Sequence, residues 1–91
     1  MTIIEKTLLH RSRIDIIANI LNTAEHGAKK THIMYQCNLS YRQLTGYMKL
    51  LDDMNLLTRN PKNPNTYQVT QKGKNFTQAY KNMKAILDTK P

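Results

Sequence analysis

Apolar positions along the chain fall into helical runs separated by polar punctuation. Ile14, Ile17, Leu21 and Ala24 recur at three- and four-residue spacing, which predicts a first helix from Arg13 to about Glu25, capped by Ser12 and stopped by Gly27. Ile16 and Ile20 widen its apolar arc to roughly 200°. A surface helix of a small monomer needs less, so the extra face calls for cover by the N-terminal segment, the last helix or a second subunit. From Thr31 to Leu57 the pattern predicts a short helix, a tight turn and a longer helix. Thr31 is the expected cap of the short helix, His32 to Cys37, which turns Ile33 and either Met34 or Cys37 inward. Asn38-Leu39 makes the turn, with Leu39 as its buried plug. Ser40 and Gln43 have the spacing of a capping box, so the next helix begins at Tyr41. Leu44, Tyr47, Met48, Leu51 and Met54 share one stripe of it, and Arg42, Thr45, Gly46 and Lys49 fall on or near the opposite side. Asn55 is a suitable left-handed terminator, which ends the helix near Met54. This is the outline of a helix-turn-helix.

The period then changes. Thr58-Arg59-Asn60 and Thr66 to Thr70, with Tyr67 and Val69 on one side, read as two strands around the turn-rich Pro61-Lys62-Asn63-Pro64-Asn65. The prolines remove backbone donors, so regular pairing stops before Pro61 and resumes after Pro64. Ala28-Lys29-Lys30 has room only for a connection or a very short strand. Thr70 caps a final helix from Gln71 to Leu87 or Asp88, whose Phe76, Ala79, Tyr80, Met83, Ile86 and Leu87 form an apolar stripe. The expected fold is α+β, mainly α: a winged helix-turn-helix, with a three-helix core and a β-hairpin wing, to which a C-terminal helix for dimerisation is added. The expected division is an N-terminal extension over residues 1–11, the winged domain over 12–70 and the dimerisation element over 71–91.

Charge gives this outline a partner. Fourteen Lys and Arg against six Asp and Glu leave a formal charge of +8, which favours polyanions. Residues 59–91 hold Arg59, Lys62, Lys72, Lys74, Lys81, Lys84 and Lys90, with Asp88 as their one acid. A core from 91 residues is marginal alone, which adds to the case for a homodimer. Cys37 is the sole cysteine, which excludes an intrachain disulfide and reads as a buried core thiol. Glu5 and Lys6 interrupt the apolar pairs of the N-terminal segment, so no signal peptide is expected. No apolar run reaches a membrane span, and a cytoplasmic, nucleoid-associated location follows.

Four segments, Arg11 to Ile17, Gly27 to Tyr35, Leu39 to Leu44 and Tyr67 to Gly73, occur in an order and spacing that resembles the archaeal winged-helix regulators. That group includes small basic dimeric DNA-binding proteins with a C-terminal coiled-coil helix. The resemblance covers about residues 11–87 and implies a DNA-binding homodimer joined through the last helix, acting as a transcription regulator or a chromatin-associated protein. Two departures stand out: the last helix is short for a long antiparallel coiled coil, and Gly46 interrupts the recognition helix at about 1 kcal/mol relative to alanine.

Residues 41–54 are accordingly expected to enter the major groove of double-stranded DNA, with wing residues 58–67 on the backbone or in the minor groove. Arg42 is the principal specificity candidate, because a guanidinium can make two hydrogen bonds to one guanine. Thr45, Gly46 and Lys49 lie beside it, with Ser40 and Tyr41 at the helix start. Lys29, Lys30, Thr31 and His32 form a second basic group suited to phosphate, and Arg59, Lys62 and Asn63 a third on the wing. Two other readings remain open: an architectural DNA-binding protein of low sequence specificity, and a winged helix that binds another protein. Catalysis is not expected. His10, His26, His32 and Cys37 lack zinc-ligand spacing, Asp52 and Asp53 point apart on their helix, and no glycine-rich phosphate loop occurs. No cofactor, membrane contact or small-molecule effector is expected either.

Overall fold

Two capping boxes and two left-handed asparagines set the main helix boundaries. The Ser12 hydroxyl accepts from the Asp15 N–H at 3.1 Å, and the Asp15 carboxylate accepts from the Ser12 N–H at 3.2 Å. Ser40 and Gln43 make the same reciprocal pair at 3.1 and 2.9 Å. At the opposite ends, Asn38 and Asn55 adopt φ of 55° and 59°. Leu39 N–H then bonds the Met34 carbonyl at 3.0 Å, and Leu56 N–H the Leu51 carbonyl at 2.9 Å, the six-to-one closure that ends a helix sharply.

The computed structural model describes residues 11–88; His10 and Lys90 lie outside them. Its elements are α1 (Arg13–Thr23), β1 (Ala28–Lys29), α2 (Lys30–Gln36), α3 (Tyr41–Asp53), β2 (Leu57–Arg59), β3 (Thr66–Val69) and α4 (Gln71–Asp88). The strands form one antiparallel sheet in the order β1-β3-β2, so the Ala28 tract is a true edge strand, pairing Ala28 with Tyr67 and Lys29 with Thr66. That pairing explains a correction to α2. Lys29 is held in extended conformation by β3, so the helix starts directly after it at Lys30, and Thr31 stands in the first turn instead of capping it. Similarly, α1 ends at Thr23, two residues before the expected Glu25, and Gly27 turns the chain toward β1 with φ of 93°.

The core gathers Ile16, Ile17, Ile20 and Leu21 of α1, Ile33 of α2, Leu44, Met48 and Leu51 of α3, and Leu56-Leu57, with Cys37 and Leu39 closing the turn. Two expected core positions lie outside it. Ile14 is 49% exposed, in the first turn of α1 ahead of the point where the core closes around that helix. Met54 is 42% exposed because α3 has ended, and Leu56-Leu57 fill the place beyond it.

Helix α4 covers part of the surplus apolar face of α1. Phe76 packs against the core, and Gly73 is buried where α4 meets Val69 of β3 and Leu56. Thr70 anchors the helix start: its Oγ1 accepts from Gly73 N–H at 3.0 Å and donates to the Asn55 carbonyl at 2.7 Å. Lys72 Nζ reaches the Met54 carbonyl at 2.9 Å. The end of α3 and the start of α4 are thereby one joint.

Further along, the Tyr80 hydroxyl donates to Asp15 Oδ1 at 2.5 Å. The bond lowers the Asp15 carboxyl below its ordinary 3.8 and, with burial and the carboxylate charge, pushes the Tyr80 phenol up to about 12. The stabilisation from ionised Asp15 is therefore present above pH 3.8 and lost as pH falls through the lowered value. That from the Tyr80 phenol is present below 10 and lost as pH rises toward about 12. Tyr80→Phe is expected to lower stability by about 1 kcal/mol, since the pair is partly solvated. Thermal melts at neutral pH and near pH 3 test this: the difference between variant and parent should shrink at the acid value, and a constant difference would count against it.

Candidate functional site

The capping box at Ser40 starts α3 at Tyr41 and thereby fixes which side chains face outward. Arg42, Thr45, Gly46 and Lys49 are all exposed, opposite buried Leu44, Met48 and Leu51. They differ in freedom. Thr45 Oγ1 donates to the Tyr41 carbonyl at 2.9 Å, and Lys49 Nζ pairs with Asp53 at 3.3 Å, one helical turn on. The Arg42 side chain has no hydrogen bond or ion pair among the described residues.

Two other groups flank this face. Lys30 is half-buried with Nζ 5.3 Å from the centre of the Tyr41 ring, which joins the start of α2 to the start of α3. Lys29, Thr31 and His32 are exposed beside it, and Tyr41 is 66% exposed. On the wing, Arg59 pairs with Tyr67 across the two strands and stacks its guanidinium 5.5 Å from the ring centre. The loop beyond is held by its own bonds: Asn60 Oδ1 accepts from Lys62 N–H at 2.9 Å, and Thr66 N–H donates to the Asn63 carbonyl at 2.9 Å. Lys62 and Asn63 stand exposed on it.

The fold thus gathers α3 and the wing around a cleft of about 510 Å³ lined by Met48, Lys49, Asp52, Thr58, Arg59 and Tyr67. A second cleft, of about 250 Å³, lies on the other flank of α3 between Arg13, Arg42, Gln43, Gly46, Tyr47 and Leu50. Neither the stacking of Tyr67 under Arg59 nor the place of Arg13 follows from periodicity. Each depends on how distant segments meet. Ser40 is engaged by the Gln43 N–H, so its first task is to shape the helix start. Among the described residues, no group of three or more His, Cys, Asp or Glu is placed to hold a metal ion, and no helix is long and apolar enough to cross a membrane.

Gly46 offers a direct test of the outward face. A Cβ built there has nothing within 4 Å. Gly46→Ala is expected to stabilise the fold by about 0.5–1 kcal/mol through helix propensity. A melting temperature raised by roughly 2–8 °C would agree, and a lowered one would mean that the site is not open.

A helix-turn-helix followed by a paired wing defines a class, and the chain belongs to the winged helix-turn-helix family, whose family model matches residues 10–88. The chain is 29% identical over 82 residues to an uncharacterized protein of Methanocaldococcus jannaschii, a match covering 89% of this chain and 81% of that one. Among solved structures its fold is similar to that of Sso10a-2, a DNA-binding protein from Sulfolobus solfataricus. That match has a TM-score of 0.75 at 23% identity and covers 86% of this chain and 83% of the other. These matches support the archaeal winged-helix family expected from the sequence motifs.

Proposed function

We propose that this protein binds double-stranded DNA as a sequence-specific transcriptional regulator, with α3 in the major groove and the wing on the backbone or minor groove. The observation that carries the proposal is the outward face of α3, where Arg42, Thr45, Gly46 and Lys49 are exposed between the basic start of α2 and the basic wing. The formal charge of +8 and the likeness in fold to a DNA-binding protein point the same way. Phosphate contacts fall to Lys29, Lys30, Lys49, Arg59 and Lys62, which position the protein, and base contacts to Arg42 and Thr45 of α3.

The regulator is proposed to act as a homodimer through α4. Its stripe divides in two: Phe76 and Tyr80 pack on their own domain, while Met83, Ile86 and Leu87 are 42, 73 and 69% exposed beyond it. Ala79 is exposed near the division. The exposed half is proposed as the surface that meets a second copy.

One observation favours a second reading, an architectural protein of low specificity. The Thr45 hydroxyl and the Lys49 ammonium already have partners on α3, which leaves Arg42 as the unengaged polar side chain among the four outward positions. Selection from random duplexes at about 150 mM salt, with a competitor, separates the two, because nonspecific affinity falls steeply with ionic strength. Enrichment of paired half-sites supports the dimeric regulator. Binding without enrichment supports the architectural protein, and no salt-sensitive binding at all removes both.

A further inference from the structure

We infer that Arg13, at the start of α1, is a phosphate contact for the DNA strand opposite the wing, so that the protein grips both walls of the major groove. The inference rests on the DNA-binding reading above. A helix seated in the major groove, about 12 Å wide, has a sugar-phosphate strand along each flank. The wing serves one flank of α3. Around the other, the fold brings Arg13 from α1 to Arg42, Gln43, Gly46, Tyr47 and Leu50 in the cleft of about 250 Å³.

Three features suit that cleft to a phosphodiester. Arg13 and Arg42 are both exposed, and neither has a carboxylate partner among the described residues. No acid lines the cleft, whereas Asp52 lines the cleft beside the wing and Asp53 engages Lys49 there. The flank of Arg13 is therefore the less compensated of the two, and a backbone phosphate gains more from it. Gly46 leaves open space at the cleft, and half-buried Tyr47 and Leu50 offer apolar surface for the deoxyribose between phosphates. The capping box holds the backbone around Arg13 in place, because Ser12 and Asp15 bracket it.

The test is the salt dependence of affinity for a mixed-sequence duplex, measured for the full chain and for Arg13→Gln, with Lys62→Gln, a phosphate contact on the wing, and Lys81→Gln alongside. Each phosphate contact contributes about 0.9 to the slope of log K against log salt, so Arg13→Gln should lower the slope by about one and the affinity about fivefold near 150 mM salt. The loss should be equal on all sequences, and Lys81→Gln, on α4, should leave the slope unchanged. A parental slope in Arg13→Gln with a reduced one in Lys62→Gln overturns the role of Arg13 and leaves DNA binding standing. An equal reduction in Lys81→Gln overturns it as well, since the effect is then one of net charge. A parent that shows no salt-sensitive duplex binding overturns the underlying reading. Thermal melts of all three variants, expected to match the parent, keep folding out of the comparison.

Discussion

Gly73→Ala is expected to lower the melting temperature by roughly 10–20 °C, the largest single effect on stability, from about 2–3 kcal/mol of overpacking. Gly73 is the one buried residue of α4, and a Cβ there would collide with the Leu56 carbonyl oxygen and lie 2.6 Å from Val69 Cγ1. The valine methyl can turn aside, but the carbonyl cannot. Leu56 O accepts the Thr70 N–H at 3.1 Å, and the residue itself is 2% exposed in the core. Relief therefore requires α4 to lift from the sheet, which strains the Thr70 and Lys72 bonds to the end of α3 and loosens Phe76 over the core. Circular dichroism melts of Gly73→Ala beside Gly46→Ala make the comparison sharp. The same chemical change should have opposite signs at the two glycines, because one faces backbone and the other faces open space. A Gly73→Ala melt within a few degrees of the parent would show that α4 docks loosely.

Much of this fold is legible in the chain because its boundaries are local. The Ser12 and Ser40 caps, the left-handed Asn55 and the Thr70 cap each involve residues within a few positions of one another, and each is found where the spacing places it. The errors share a different origin. Thr31 loses its capping role because Lys29 is committed to a strand whose partner, Thr66, lies far along the chain. Ile14 has the right period for burial but sits ahead of the point where other elements meet α1. Periodicity gives direction around a helix and says nothing about how far a neighbour extends along it.

The same distinction runs through the candidate site. The exposed face of α3 follows from local pattern, since a capped helix with Leu44, Met48 and Leu51 inward must show Arg42, Gly46 and Lys49 outward. What could not be read is the state of those groups. Lys49 is paired with Asp53, a contact that helical spacing permits but does not require. Arg13 reaches the side of Arg42 only because the fold brings the start of α1 beside α3 at their shared cleft. The stripe of α4, continuous in the chain, is divided in space because the rest of the domain extends only far enough to engage Phe76 and Tyr80.

Arg42→Ala is expected to produce the largest change in recognition: a loss of roughly 1–3 kcal/mol, or about 5- to 150-fold, at one preferred base step, with less loss on other duplexes. Arg42 lies in the first turn of α3, its backbone set by the Ser40 box and its side chain exposed and unpaired among the described residues. Those are the conditions for a guanidinium to be spent on a base edge without first breaking another bond. Lys49→Ala should behave differently. Removing the ammonium leaves Asp53 unpaired and Asp52 nearby on the same helix, so the surface turns more negative and affinity falls on every sequence alike. Asp53→Asn supplies the complementary arm: it frees Lys49 and should raise affinity without altering sequence preference. Binding of a selected duplex and a scrambled one by all three variants at fixed salt distinguishes these outcomes. Equal losses on both duplexes for Arg42→Ala would remove direct readout from α3 and favour the architectural reading, in which backbone contacts set affinity and no side chain chooses the base.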